Sequence, residues 1–412
     1  MTDSVITGIG VISSLGVGRE VFWRNCMAAR PGLKKITGFD TSALQSDVAG
    51  WIDDFNPAQF LPQMTYRRMS RASQMAVAAS IEALDDSGLD ITIIDKSRVA
   101  VIMGTAYGSS SCIDDFFTGF LREGPRCANP FLFSETVPNA PASHIAMFHR
   151  ITGPNTTFCQ NMLSFETALL YAQNILRNNN ADIVLVGGVD ELSAEQYACY
   201  DALGCINKVK AGDGGRILPR PGGGFILGEG AAVLVMEGRE YARRRKANMR
   251  GMLKSVTTVG GGFTPGQHRK QCGQLSHAVS IAAKEAGISP DKIDQISICA
   301  NFSRELDLFE YNQLRAFFKS RGDTLAVSPL KYLMGDFGGA GAVRAAAVLL
   351  SLYLQQPLPT LSAEVLRVDS VSPLSWNTGS SCTTRAVLMT SATLTGSSAG
   401  IIFTAAEECG AA

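Results

Sequence analysis

Short apolar segments that end at glycine alternate along the chain with longer segments in which apolar residues recur at helical spacing. A strand buried on both faces has no polar side, so continuously apolar runs predict buried strands. The runs that predict strands are 4–10, 99–104, 181–188 and 225–237, and helices are predicted at 71–87 and 165–178. This alternation predicts a layered α/β fold with a mixed or parallel sheet.

A second cycle of the same elements begins near residue 251. Its predicted strands are 252–259, 295–300, 324–327, 384–390 and 400–404, and its long apolar helix is 338–354. No low-complexity linker separates the two cycles. We therefore expect one compact body made of two similar halves, residues 1–245 and 246–412.

Composition narrows the classes of function. Among 412 residues, Lys+Arg and Asp+Glu both number 37, a balance that is not typical of a nucleic-acid binder. No apolar run reaches the roughly 18 residues of a membrane span, and no signal peptide is visible, so we expect a cytoplasmic protein without membrane contact. The cysteines and histidines lack zinc-binding spacing, so we expect no metal site and mostly buried, reduced thiols.

Six short motifs occur in an order and spacing that resembles the β-ketoacyl synthases of the thiolase superfamily. They are I-T-G-I-G-V-I at 6–12, G-P-R at 124–126, N-P-F at 129–131, G-P-N at 153–155, A-D to G-G at 181–188 and G-F to G-E-G-A at 224–231. The resemblance implies a thiolase-like five-layered αβαβα fold that assembles as a dimer.

A working ketosynthase needs a cysteine that takes the acyl chain as a thioester. Counting forward from Gly153 and back from Gly187 gives Met162 at the nucleophile position. A thioether neither ionises nor carries an acyl group. Chain-length factors, the non-catalytic relatives of these enzymes, usually carry glutamine there. Methionine departs from that pattern, and Gln160 could fill the place if the turn is remodelled.

The resemblance also locates two catalytic histidines, which stabilise and protonate the decarboxylated extender unit. Asn301 occupies the first position and Asp336 the second, where an anion would repel the developing enolate. In the segment that matches the gating F-G-F-G-G loop, residues 392–396, only Gly396 is retained. The residues that match the family's structural charge network are kept: Asp307, Glu310 and Lys331.

These selective losses predict a chain-length factor of a type II polyketide synthase. Such a factor heterodimerises with a catalytic ketosynthase and shapes the tunnel that sets polyketide chain length. It needs no cofactor, because the phosphopantetheine belongs to the acyl carrier protein partner. The resemblance leaves the product open between aromatic polyketide, aryl polyene and other polyene. The predicted tunnel residues are Tyr107, Ser111, Cys112, Phe116 and Phe133.

Two other functions remain open. The chain could be an acyltransferase that uses a displaced thiol, Cys159 or Cys112. Against this, Cys159 lies on the strand before the turn, where we expect a small buried side chain. Alternatively, the chain could be a homodimeric scaffold that only binds acyl carrier protein. Phe131, on the segment expected to reach the dimer interface, is equally compatible with core packing.

Overall fold

The computed structural model describes residues 3–212, 217, 219, 222–261, 273–319, 325–360, 383–393 and 395–406. The strands are β1 Ser4–Ser13, β2 Gly16–Val17, β3 Lys34–Lys35, β4 Val48–Ala49, β5 Val99–Gly104, β6 Asn155–Phe158, β7 Ile183–Asp190, β8 Gly230–Gly238, β9 Gly251–Val259, β10 Gln295–Ser297, β11 Ala326–Ser328, β12 Ala386–Ala392 and β13 Ser398–Thr404. The helices are α1 Arg19–Met27, α2 Gln63–Tyr66, α3 Arg71–Ser87, α4 Ser110–Glu123, α5 Pro130–Phe133, α6 Ala140–His149, α7 Ser164–Arg177, α8 Ala194–Ala202, α9 Arg239–Arg244, α10 Gln274–Ala286, α11 Arg304–Phe317, α12 Lys331–Met334 and α13 Ala340–Leu354.

One mixed sheet runs through the molecule in the order β11-β10-β12-β13-β9-β1-β8-β7-β5-β6. In the first half, β1, β8 and β7 are antiparallel neighbours, and β7, β5 and β6 are parallel neighbours. The second half repeats this with β9, β13 and β12 antiparallel, and β12, β10 and β11 parallel. The prediction of two similar halves is confirmed. The boundary between residues 245 and 246 stays a prediction.

Helices cover the sheet in layers. Helix α3 packs on the outer face of the first half, and α10 and α11 cover the outer face of the second. Between the halves lie α7 and α13, and α13 contacts both β8 and β12. This is the predicted αβαβα arrangement.

The glycines of the first motif are explained by close packing between β1 and α3. Helix α3 begins after Ser70, whose hydroxyl accepts from the Ser73 N–H, and ends at the left-handed Gly88. A Cβ on Gly10 would lie 1.9 Å from the Ala79 carbonyl oxygen. Only glycine lets the strand approach the helix this closely.

Helix α13 is an interior element. All its residues from Ala340 to Leu352 are buried, including Arg344, which donates to the carbonyls of Ser297 and Thr390.

No helix in the described ranges is both long and apolar enough to cross a bilayer.

The predicted strand 225–237 is wrong at its start. Strand β8 begins at Gly230, and the preceding residues form single bridges, such as that between Gly50 and Gly228. A Cβ on Gly228 would lie 2.6 Å from the Met334 carbonyl oxygen, so this segment packs against the second half instead of joining the sheet. Of the predicted strand 324–327, residue 324 lies outside the described residues.

Candidate active-site region

The end of β7 holds together two segments that face the candidate site. The buried Asp190 carboxylate accepts from the Thr105 hydroxyl at 2.7 Å and from the N–H groups of Ala106, Tyr107 and Gly339 at 2.8–2.9 Å. Burial raises the pKa of this carboxyl to about 6, although the hydrogen bonds oppose the shift. Asp190 therefore fixes the loop before α4 beside the start of α13.

The predicted nucleophile position lies in a tight turn between β6 and α7. This turn is the 3₁₀ segment Asn161–Leu163, and Asn161 has a left-handed backbone with φ of 54°. The Ser164 hydroxyl, at the first residue of α7, lies 2.9 Å from the Thr105 carbonyl oxygen and pins the turn to the loop before α4. Met162 is half-buried within it. The turn packs against β12 and α13.

Gln160 and Cys159, the two alternatives to Met162 near this turn, have different surroundings. Gln160 is exposed, and its side-chain carbonyl accepts from the Thr167 hydroxyl at 2.6 Å, so it is bound to the surface of α7. Cys159 is exposed, and the expectation that it is buried is wrong, because β6 ends one residue earlier at Phe158. Partial desolvation and the Asp190 charge raise the pKa of the Cys159 thiol, which disfavours the thiolate a nucleophile needs.

Exposed thiols are also more common than the sequence predicted. Among the described free cysteines, only Cys26 and Cys299 are buried, whereas Cys127, Cys159 and Cys199 are exposed in this single chain. The expectation of mostly buried thiols is therefore wrong for the described residues.

The two predicted histidine positions lie in direct contact. The Asn301 side-chain N–H donates to Asp336 Oδ2 at 2.7 Å, and Lys331 Nζ lies 2.6 Å from Asp336 Oδ1. All three side chains are at most 5% exposed. The carboxylate of Asp336 is therefore paired inside the protein. The side chains at the two predicted histidine positions bind each other.

A stacked aromatic pair closes the neighbouring space. Phe302, next to Asn301, has a left-handed backbone, with φ of 75°. Its ring stacks on Tyr332 at 3.8 Å between centroids. The Tyr332 hydroxyl donates to Asp307 at 2.7 Å, and Asp307 also accepts from the Asn301 N–H at 2.9 Å. Burial raises the pKa of Asp307 to about 7.

The three residues of the predicted charge network have separate partners. Glu310 accepts from the Cys299 N–H at 2.9 Å and from the Thr390 hydroxyl at 2.5 Å. Lys331 forms its ion pair with Asp336. Since Asp307 accepts from the Asn301 N–H, the three residues contact both predicted histidine positions.

The predicted tunnel residues begin in the loop held by Asp190. The hydroxyl of Tyr107 is hydrogen-bonded to that of Tyr200, and the two rings meet edge to face at 6.4 Å. The N–H and hydroxyl of Ser111 donate to the buried Glu191 at 2.8 and 2.5 Å. Ser111 thereby anchors the first turn of α4, where a carboxylate also complements the helix dipole.

Cys112 lines a cavity of about 420 Å³ together with Ser70, Phe131 and Glu135. Burial, followed by the charge of Glu191, raises the pKa of its thiol to about 12. A thiol that stays protonated at neutral pH is a poor nucleophile.

Helices α4 and α5 present an exposed aromatic face. Phe116 contacts Phe117, Phe120 and Phe133 at centroid distances of 5.5–6.5 Å, so the predicted residues Phe116 and Phe133 lie together. We define the aromatic face as these four residues and Phe131. Phe131 is 72% exposed and Phe133 is 62% exposed, so the core interpretation of Phe131 is wrong for the single chain.

Sequence reasoning missed Asp190, Glu191, Tyr200 and Tyr332. Asp190 is the last residue of the apolar strand β7 and Glu191 follows it, and polar residues at the end of a buried strand can signal a functional site. Nothing in the sequence pairs Tyr200 with Tyr107. In the described residues, no three His, Cys, Asp or Glu side chains come together as a metal-binding group.

Comparisons with known proteins cover most of the chain. The family model of the β-ketoacyl synthase N-terminal domain matches residues 1–242, and that of the C-terminal domain matches residues 251–364. The tetracenomycin polyketide synthase ketoacyl synthase alpha subunit of Streptomyces glaucescens is 30% identical over 371 residues, 87% of each chain. The 3-oxoacyl-(acyl-carrier-protein) synthase 2 of Coxiella burnetii is 27% identical over 365 residues, 87% of this chain and 88% of that protein.

Among solved structures, the ishigamide ketosynthase/chain length factor is similar, with a TM-score of 0.87. It is 25% identical in sequence, and the match covers 98% of this chain and 99% of that one.

We predict that Asp336→Ala lowers the free energy of unfolding by about 3–5 kcal/mol, because it leaves Lys331 buried without its counter-charge. Chemical denaturation measures the change. Asp53→Ala is the matched control, since its pair with Lys34 is exposed and should contribute about 1 kcal/mol or less. A similar loss in both variants would contradict the role of burial.

We also predict that Asp307 makes stability fall as pH rises from about 4 to 7. Its folded pKa of about 7 lies above the value near 4 of an unfolded aspartate. In this window the native state holds a proton that the unfolded state has released, so the Asp307 contribution is present at low pH and lost as pH rises.

Asp307→Asn removes this dependence, so the stability difference between the two proteins should change by up to about 1.4 kcal/mol per pH unit. Comparing the two proteins cancels the opposite trend from His149, whose pKa is lowered to about 4 by burial. Parallel stability curves across the window would exclude the assignment.

Proposed function

The chain belongs to the β-ketoacyl synthase family, and we propose that within it the chain is a non-catalytic chain-length factor of type II polyketide biosynthesis. It pairs with a catalytic ketosynthase, which performs the condensation on chains carried by acyl carrier protein. This chain contributes one wall of the tunnel that receives the growing product.

The observation that carries this proposal is the contact among Asn301, Asp336 and Lys331. Proton transfer to a reacting thioester requires a group with a suitable pKa that can reach the substrate. The amide of Asn301 has no proton of suitable pKa. The carboxylate of Asp336 is bound by the buried Lys331 and by that same amide. With Met162 at the turn, the nucleophile and both histidines are replaced by groups that cannot perform the reaction.

The surface supports pairing with another chain. Strand β6 is an outer strand of the sheet, and the Thr157 hydroxyl on it is buried without a hydrogen-bond partner among the described residues. An outer strand with open backbone groups is suited to pair with a strand of a second chain. The aromatic face adds an apolar area of the kind that interfaces bury.

The comparisons support the same kind of partners. Both curated relatives are named as catalytic synthases, one of a polyketide synthase and one acting with acyl carrier protein. The similar solved structure is named for a ketosynthase together with a chain length factor. We assign this chain to the second role because its candidate site lacks the groups that the first role needs.

The displaced-thiol function has less support. The pKa values of both Cys159 and Cys112 are raised, whereas catalytic cysteines have lowered values. A homodimeric scaffold would use the same edge strand and aromatic face. It differs from a chain-length factor in its partner, which would be a second copy of this chain instead of a catalytic ketosynthase.

Co-expression with a catalytic ketosynthase from the same biosynthetic system tests the proposal. We expect a heterodimer whose interface buries more than about 2,000 Å², as obligate interfaces do. Phe133→Asp should weaken assembly, because it places a charge in the buried apolar interface. Ile93→Asp should not, since Ile93 is 81% exposed and lies outside the aromatic face.

Size-exclusion chromatography with light scattering measures both variants. A stable homodimer that does not exchange with the ketosynthase would favour the scaffold. Condensation by this chain alone would exclude a non-catalytic role.

In the intact complex, we predict that Phe116→Ala lengthens the product, because removing a half-buried ring enlarges the space beside α4. Phe117→Ala is the matched control on the same helix, as Phe117 is 51% exposed in the single chain. Product masses from complexes of equal stoichiometry give the result. Unchanged chain length with Phe116→Ala and with Tyr107→Ala would contradict the tunnel assignment. Ser111 is a poorer probe, since its substitution also breaks the bond to Glu191.

A further inference from the structure

A second large cavity lies at the end of the molecule opposite the candidate site. Helix α13 starts beside Asp190, which binds the Gly339 N–H, and its last turn lines this cavity with Leu352 and Tyr353. Fifteen helical residues span about 22 Å, at roughly 1.5 Å per residue. The cavity is therefore separate from the region of Met162, Asn301 and Asp336.

The lining of this cavity is strongly basic. Its volume is about 1010 Å³, near the upper end of the range for small-molecule sites. The arginines that line it are Arg239, Arg243, Arg250 and Arg385, and its described lining includes no aspartate or glutamate. We call this cavity the arginine cleft.

Three of the four arginines have carboxylate neighbours, but the carboxylates do not line the cleft. Arg250 binds the buried Asp86 at 2.5 Å. Arg239 lies 3.4 Å from Asp3, and Arg243 lies 3.6 Å from the exposed Glu240. A guanidinium has five N–H donors, so an arginine bound to one carboxylate can still donate to a ligand. Binding of an anion in the cleft thus does not require any of these arginines to be unpaired.

The rest of the lining is apolar and aromatic. Met249, Leu352 and Tyr353 contribute apolar surface, and the Tyr353 residue is 38% exposed. The Arg250 guanidinium stacks over this ring at 4.1 Å, and the Tyr353 hydroxyl accepts from Asn248 at 2.8 Å. These two contacts hold the ring in place at the wall of the cleft.

From this combination we propose that the arginine cleft binds a nucleoside phosphate. Arginine matches the geometry of phosphate oxygens through paired N–H donors, and the apolar wall with Tyr353 fits a base. The carboxyl end of α13 carries about half a negative charge, which opposes an anion. Against this, the lining offers four guanidinium groups as donors to an anion, although three of them also have carboxylate neighbours. The site is independent of the chain-length role, since none of its residues belongs to the candidate active-site region.

Titration calorimetry of the full chain, in the complex in which it purifies, with ADP at physiological salt tests the proposal. We expect saturable binding, with adenosine and inorganic pyrophosphate each binding more weakly because each offers only part of the ligand. Arg385→Ala should weaken ADP binding by about tenfold or more, as expected for the loss of a charge-assisted contact. Arg385→Lys keeps the charge but not the paired donors, so its affinity for ADP should lie between those of the unmodified chain and Arg385→Ala.

Arg315→Ala is the matched control, because Arg315 is an exposed arginine on α11 that does not line the cleft. Arg243→Ala gives a second test if Arg385→Ala unfolds the chain, and thermal unfolding checks both. Absence of saturable ADP binding up to millimolar concentration would overturn the proposal. So would equal affinity in the Arg385 and Arg315 variants, or pyrophosphate binding as tight as that of ADP.

Discussion

A charge buried in a protein interior must have a partner, and this constraint shapes the candidate site. Lys331 is 3% exposed and therefore requires a counter-charge within reach. Asp336 provides it at 2.6 Å, and Asn301 completes the contact. Asp336, at the position that the sequence predicts for a catalytic histidine, thus forms a buried ion pair.

The same constraint bears on where the proposed function can lie. A catalytic group must be able to exchange protons and approach a substrate, whereas the groups here are held by each other and by the Phe302–Tyr332 stack. Among the described residues, strand β6 lies at the edge of the sheet and the aromatic face is exposed. The exposed edge strand and aromatic face are the surfaces that the proposed role would use.

The sequence predicted the layers and the repeated halves because these depend on local patterns. Apolar runs and close-packed glycines such as Gly10 are visible along the chain. Contacts between distant segments were not predictable in this way. Asn301 and Asp336 are 35 residues apart, and their direct hydrogen bond depends on how two loops meet. The exposure of Cys159 was missed for a similar reason, since it depends on β6 ending at Phe158 near the edge of the sheet.

The two halves share a topology, but few backbone pairs join them within the sheet. Strands β1 and β9 pair only from Ser4–Ile6 to Gly251–Leu253. Polar contacts in the central layer supply much of the remaining connection: Asp190 binds the Gly339 N–H, and Glu166 accepts from Ser391 at 2.6 Å. Because each contact joins a residue of the first half to one of the second, separating the halves would expose buried carboxylates that lose their partners. The contact among Asn301, Asp336 and Lys331 and the contacts that join the halves therefore belong to one buried polar core.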